Sequence, residues 1–328
     1  MKRRDFITLL GGAAAWPIAA RAQQQDRMRR IGVLGNASND RFVQAQFTAF
    51  REALEKLGWM EGRNIGIDYR WAMGDAEAAR TGAAELLVLA PDAIVVNPVV
   101  GLAALQRATR TIPIVFTVVT EPVAQGFVAS LAHPGANITG FSNLEPSVAG
   151  KWLQLLKEIA PQISRVAVIG NPETAPFNVA FARAAETVAR SLSVDVTSAP
   201  VHAHSDIETV LTMLGREPGG GLIAVPDPFN TANRDFIIEL AARHRVPAFY
   251  NDRPFVTAGG LASYGLNQLD LYRQAAGYVD RILRGEQPTN LPVVQPAVFE
   301  LAINLKTAKA LGLDVPSYLQ QLADEVIE

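Results

Sequence analysis

The chain of 328 residues contains no cysteine. That excludes disulfides, thiolate zinc sites, iron–sulfur clusters, cysteine nucleophiles and lipid attachment through cysteine. Charge is sparse: Asp, Glu, Lys and Arg make up 19% of the residues and leave a formal net charge of −2. This balance argues against a nucleic-acid partner, which selects a basic surface. Histidine is scarce as well, with four in all. His133 and His244 stand alone, and no pattern pairs either with a nucleophile. His202 and His204 alternate beside Asp206, as a two-histidine metal pair would, but a solvated loop explains them more simply. No Gly-x-Gly-x-x-Gly follows a strand pattern and no phosphate-loop lysine motif occurs. Gly219-Gly220-Gly221 precedes a strand and reads as a linker. The run Gly260 to Gly265 places one residue too many before Ser263 for a nucleophile elbow. Redox and phosphoryl-transfer chemistry therefore have no support, and neither a cofactor nor a metal is expected.

Apolar residues are plentiful, at 49%. A chain of this length and composition can bury two full cores and suggests two domains. Its first segment reads as an address. Lys2-Arg3-Arg4-Asp5-Phe6 is followed by an apolar run from Ile7 to Ala20, then Ala20-Arg21-Ala22. This basic, apolar, small-residue order is that of an export signal, and the run is too short and too Pro-interrupted for a comfortable membrane span. The adjacent arginines before Phe6 fit the twin-arginine route; the bland alternative is an amphipathic N-terminal helix. Cleavage after Ala22 would remove Lys2, Arg3, Arg4 and Arg21 against Asp5 alone, leaving a more acidic chain. Without a lipid anchor or a membrane insertion, such a protein is expected in the periplasm, as a monomer.

The remainder repeats itself. Short β-branched runs at Arg30 to Gly35, Asn64 to Trp71, Ala93 to Asn97 and Ile112 to Val119 alternate with helical patterns. Val43, Phe47, Phe50, Leu54 and Leu57 step by three and four, and Gly58 closes that helix; Asp75 is placed to cap the next. Ile31 to Asn36 is echoed by Val166 to Asn171, Ile94 to Val96 by Ile223 to Val225, and Ile112 to Val115 by Val246 to Phe249, at nearly one offset. Three echoes in order favour a duplicated lobe. The expected class is α/β: two similar doubly wound parallel-sheet lobes joined by a multi-crossover hinge. The join is placed near Ala132 to Glu145. Beyond the signal at 1–22, lobe 1 is expected over 30–120 plus about 268–302, and lobe 2 over 121–267 plus about 303–328.

In open α/β sheets a ligand sits beyond the carboxyl ends of the strands. The ligand-binding candidates are thus the residues that follow them. In the first half these are Asn36, Ser38, Asn39, Asn97, Pro98, Thr117 and Thr120. In the second they are Asn171, Asp227, Tyr250 and Asn251, with Tyr264 at the end of a crossover run. Each has a bland alternative. Asn and Ser after strands also form turns and caps, and Asp227 between two prolines is equally an N-cap or the seat of a ligand ammonium. One of the two tyrosines is expected to touch the ligand, the other to pack in the hinge.

Taken together, several segments resemble the periplasmic substrate-binding proteins of ATP-driven importers, in the branch of the tryptophan- and tyrosine-binding proteins. They are Thr111 to Phe116, Ser130 to Gly140, Gly260 to Gly265, Leu291-Pro292-Val293 and Phe299 to Gly312. The chain departs from that pattern with Glu121-Pro122 in place of Asp-Pro and Ala136 in place of Gly, both at the first crossover. The resemblance implies a type I binding-protein fold with three crossovers and a closing cleft. It also implies a small amino-acid or aromatic-acid ligand, and an importer permease with its ATPase as partner. An exported α/β hydrolase and a ligand-sensing lobe for a membrane receptor are the alternatives. A lac-repressor type of regulator is disfavoured, because no helix-turn-helix precedes the first strand.

Overall fold

A computed structural model describes residues 28–36, 41–72, 75–97, 99–295 and 298–328. The export signal read over 1–22 lies outside the described residues. Among the described residues no helix is long and apolar enough to cross a membrane.

The first half of the chain runs β1 (Arg29–Gly35), α1 (Arg41–Lys56), β2 (Ile65–Trp71), α2 (Ala76–Val88), β3 (Ala93–Val96), α3 (Val99–Ala108), β4 (Ile114–Val119) and β5 (Ile138–Ser142). These strands form one parallel sheet in the order β2-β1-β3-β4-β5. Strands buried on both faces read as continuous apolar runs, and β3 shows this, with all four residues inside. The helices end where the sequence says. Asp75 accepts from Ala78 N at 2.7 Å to cap α2, and Gly58 takes φ +93° just beyond α1.

The second half repeats the plan with α4 (Val148–Ile159), β6 (Arg165–Gly170), α5 (Asn178–Ala189), β7 (Asp195–Pro200), α6 (His204–Gly215), β8 (Gly220–Ala224), α7 (Pro228–Ala232), α8 (Arg234–Arg243), β9 (Ala248–Tyr250), α9 (Arg253–Thr257) and β10 (Ala262–Leu266). The tail adds α10 (Gln268–Leu283), β11 (Phe299–Asn304), α11 (Leu305–Ala310), α12 (Ser317–Leu322) and β12 (Glu325–Ile327). The second sheet is ordered β12-β11-β10-β9-β8-β6-β7. Its stretch β7-β6-β8-β9-β10 retraces β2-β1-β3-β4-β5, which is the duplication seen as echoes in the sequence. Among the described residues only its β10–β11 pair is antiparallel.

Three crossings join the lobes. The first follows β5, the second is the step from β10 into α10, and the third lies between Val294, bridged to Phe141, and β11. Helix α10 belongs to the first lobe: Trp59 donates to Asp280 at 2.8 Å, and Phe47 meets Tyr272 edge-on at 5.3 Å. Trp152 anchors α4 in the second lobe, fully buried, stacked on Phe181 and donating to Tyr264 O at 2.6 Å.

Two segments stand on the other side from the expected boundaries. Ile138–Ser142, expected in lobe 2, is the edge strand of the first sheet. Asn137 pins its start by donating to Ile112 O at 2.7 Å, and the preceding residues Phe127 and Val128 already pack in the lobe-1 core. Gly140 makes the pairing feasible: at φ +153° a Cβ there would lie 2.1 Å from Phe116 O. Phe299–Asn304, expected mainly in lobe 1, hydrogen-bonds to β10 in the second sheet and carries the tail with it.

Candidate functional site

The carboxyl ends of both sheets open on one interlobe cavity. The first lobe contributes Asn36 after β1, Phe42, Val43 and Gln46 from the start of α1, and Asn97 and Val99 around the end of β3. Val118, Thr120 and Asn143 follow from β4 and β5. The second lobe answers with Thr174 and Phe177 after β6, and Pro226, Asp227, Pro228 and Thr231 after β8. Arg234 on α8, Asn251, Asp252, Pro254 and Phe255 after β9, and Gln268 at the head of α10 complete the wall.

Strand ends shape the first wall. β4 shifts register between Thr117 and Val119, and Val118 between them takes φ +57°. A β-branched residue in the left-handed region is strained, and such strain clusters at functional sites. Glu121, three residues on, also has a positive φ, of +50°. Its carboxyl is pushed up by burial and by the neighbouring Glu145 at the first crossing.

The second wall holds two carboxylates and one guanidinium. Asp227 is buried and N-caps α7, with Pro228 behind it. Its oxygens accept from Asn171 N at 2.7 Å, Thr174 Oγ1 at 2.5 Å and Phe229 N at 2.9 Å. Burial raises its carboxyl, and these hydrogen bonds oppose the rise. Asp252, also buried, is pushed up to about 8 by the loss of solvent. It accepts from the Gln268 side-chain amide, whose Oε1 in turn accepts from Gln46 Nε2 at 2.7 Å. Three wall oxygens, Asn36 Oδ1, Thr120 Oγ1 and Asn251 Oδ1, are buried without a hydrogen-bond partner among the described residues.

Of the residues proposed from the sequence, Asn36, Asn97, Thr120, Asp227 and Asn251 line the cavity. Ser38, Asn39 and Pro98 lie outside the described residues. Thr117 is fully buried and off the wall, beside the Tyr272 hydroxyl. Asn171 also lies off it, with Oδ1 accepting from Glu173 N at 2.8 Å in an Asx turn under Asp227. Neither tyrosine reaches the wall. Tyr250 turns into the lobe-2 core and stacks on Phe255 at 4.7 Å, while Tyr264 stacks on Phe299 at 5.3 Å where β10 pairs with β11. His202 and His204 take separate partners at the lobe-2 rim, His202 facing Glu173 at 3.7 Å and His204 meeting Asn233 and Phe236.

Strand-end reasoning missed Phe42, Val43, Gln46, Arg234 and Gln268 because helices carry them, and Phe177 because it stands at the N-cap of α5, several residues beyond β6. Helix starts in a doubly wound sheet face the same crevice as strand ends. The first two turns after each loop were the signal that could have found them.

The geometry has parallels among known proteins. The pattern of a family described as ABC transporter substrate binding protein matches residues 31–327. A tyrosine-binding protein of Clostridioides difficile is 26% identical over 266 residues, 80% of this chain and 75% of that protein. The crystal structure of a conserved domain protein from Vibrio cholerae, 28% identical, superposes with a TM-score of 0.83 over 92% of this chain and 100% of that one. An ABC domain from Streptococcus pneumonia solved in complex with L-Trp is 22% identical and superposes with a TM-score of 0.82 over 91% of this chain and 99% of that one. The two-lobed α/β fold is thus that of type I periplasmic binding proteins, and the chain belongs to the ABC transporter substrate-binding protein family.

Proposed function

We propose that this protein captures an amino acid with an aromatic side chain between its lobes, in the periplasm, and hands it to an importer permease driven by an ATPase. The observation that carries the reading is the composition of the cavity wall. Phe42, Phe177 and Phe255 supply apolar surface from both lobes, and Arg234 with Asp227 and Asp252 supplies ionisable groups of both kinds, basic and acidic. A ligand with an aromatic body, a carboxylate and an ammonium uses all three. The unpartnered oxygens of Asn36, Thr120 and Asn251 lie around the same cavity and would be satisfied by ligand or bound water. The tyrosine-binding relative and the L-Trp complex support the same ligand class.

A thermal-shift panel of amino acids, aromatic acids and sugars tests the proposal. L-tyrosine or L-tryptophan should raise Tm with dose, by roughly 2.7 kcal/mol of stabilisation at a hundredfold excess over Kd. A rise with sugars alone would overturn it.

A further inference from the structure

Asp252 is unusual among the wall residues. Its side chain is buried, and among the described residues no ion pair includes it. Its nearest charged neighbours have other partners: Arg234 on α8 pairs with Asp235, and Arg253 on α9 pairs with Glu325. Glu300 on β11, also close, accepts from Asn267 at 2.6 Å. What Asp252 does hold is the amide of Gln268, and Gln268 holds Gln46 on the opposite lobe. Gln46 is itself buried, 2% exposed. All three residues line the cavity, and Gln268 sits at the second crossing, so this chain of polar groups runs from one lobe through the hinge to the other.

We propose that the Asp252 carboxyl is the cavity's receptor for a cationic group of the ligand, and that Gln268 and Gln46 carry its occupancy across the cleft. This rests on the reading of the cavity as an amino-acid site and deepens it by assigning the ligand's ammonium to one residue of the wall and naming the groups that respond to it. Burial pushes the Asp252 carboxyl up to about 8, so without a cation the group holds its proton at neutral pH. An arriving ammonium keeps its own protons and takes the carboxylate as its counter-ion; the carboxyl proton leaves to solvent, and charge balances. The amides fix the direction of the relay. Gln46 Nε2 donates to Gln268 Oε1, and the Gln268 Nε2 donates to Asp252, the polarity that an ionised acceptor requires. Gln268 is therefore a positioning residue.

Isothermal titration in phosphate and in Tris, whose ionisation enthalpies differ, counts the protons exchanged. The titrants are L-tyrosine, tyramine, which keeps only the amine, and 3-(4-hydroxyphenyl)propanoate, which keeps only the acid. At about pH 7 the amine-bearing titrants should release close to one proton, and the release should fade above about pH 9. Asp252→Asn should abolish the release and weaken the amine-bearing titrants by at least about 30-fold, the usual consequence of truncating a buried charge partner. Gln268→Met should move the midpoint of release to higher pH, which loss of packing alone would not do. Binding of amines without proton exchange, equally tight binding by Asp252→Asn, or binding of the propanoate alone would overturn the proposal. Binding of tyramine but not L-tyrosine would uphold it and remove the amino-acid reading of the function. Binding of none would overturn both.

Discussion

Asp227 and Asp252 are two buried carboxylates on one wall, and they meet burial differently. Asp227 is braced by three donors from its own lobe and ties the β6 loop to the start of α7. Asp227→Ala would strip the cap and leave Asn171 N and Phe229 N without their acceptor. A loss of about 2 kcal/mol in urea unfolding is expected, combining a helix cap with buried donors left unmade. Asp252 has fewer donors and is pushed from 3.8 up to about 8. Between those values the folded protein keeps a proton that the unfolded chain has released. The group's contribution to stability is therefore full below about pH 4 and is lost as pH rises through about 8. Asp252→Asn has no such charge to bury. Its stability relative to the wild type should rise steadily from about pH 4 to pH 8, measured as urea midpoints at each pH.

At the scale of elements, β5 shows how a strand can depend on one missing side chain. Gly140 lets β5 lie against β4, with Phe116 O 2.1 Å from where a Cβ would stand. Gly140→Ala should destabilise the first lobe by about 3 kcal/mol, because backbone has to shift to admit the methyl. Differential scanning calorimetry would show the loss. The central strands β1, β3, β6 and β8 were legible in the sequence because both of their faces are buried and apolar residues run unbroken along them. The edge strand Ile138-Thr139-Gly140-Phe141-Ser142 is short, half polar and follows a Pro-Gly turn, so it read as linker. For the same reason the lobe boundary expected from the sequence falls before it and not after. The bulge at Val118 had no local signature, since its positive φ comes from how β4 meets β5.

Across the whole molecule, the duplicated sheet order makes the cleft. Two copies of one lobe, facing each other, bring the carboxyl ends of both sheets to a single cavity, and three crossings allow the lobes to move as bodies. The strand-end rule points to this cavity, and five of the residues it names, Asn36, Asn97, Thr120, Asp227 and Asn251, lie on the wall. It could not find the helix-borne residues, nor foresee that Tyr250 and Tyr264 turn into packing, because both depend on how the lobes are set against each other. Ligand-driven closure should lower the radius of gyration in small-angle scattering when L-tyrosine is added to saturation. The most direct measurement is a crystal structure of the protein grown with L-tyrosine. The account predicts ligand density between Phe42 and Phe177, in contact with both lobes and with a nitrogen beside Asp252. Density on an outer face, or in contact with one lobe only, would contradict it.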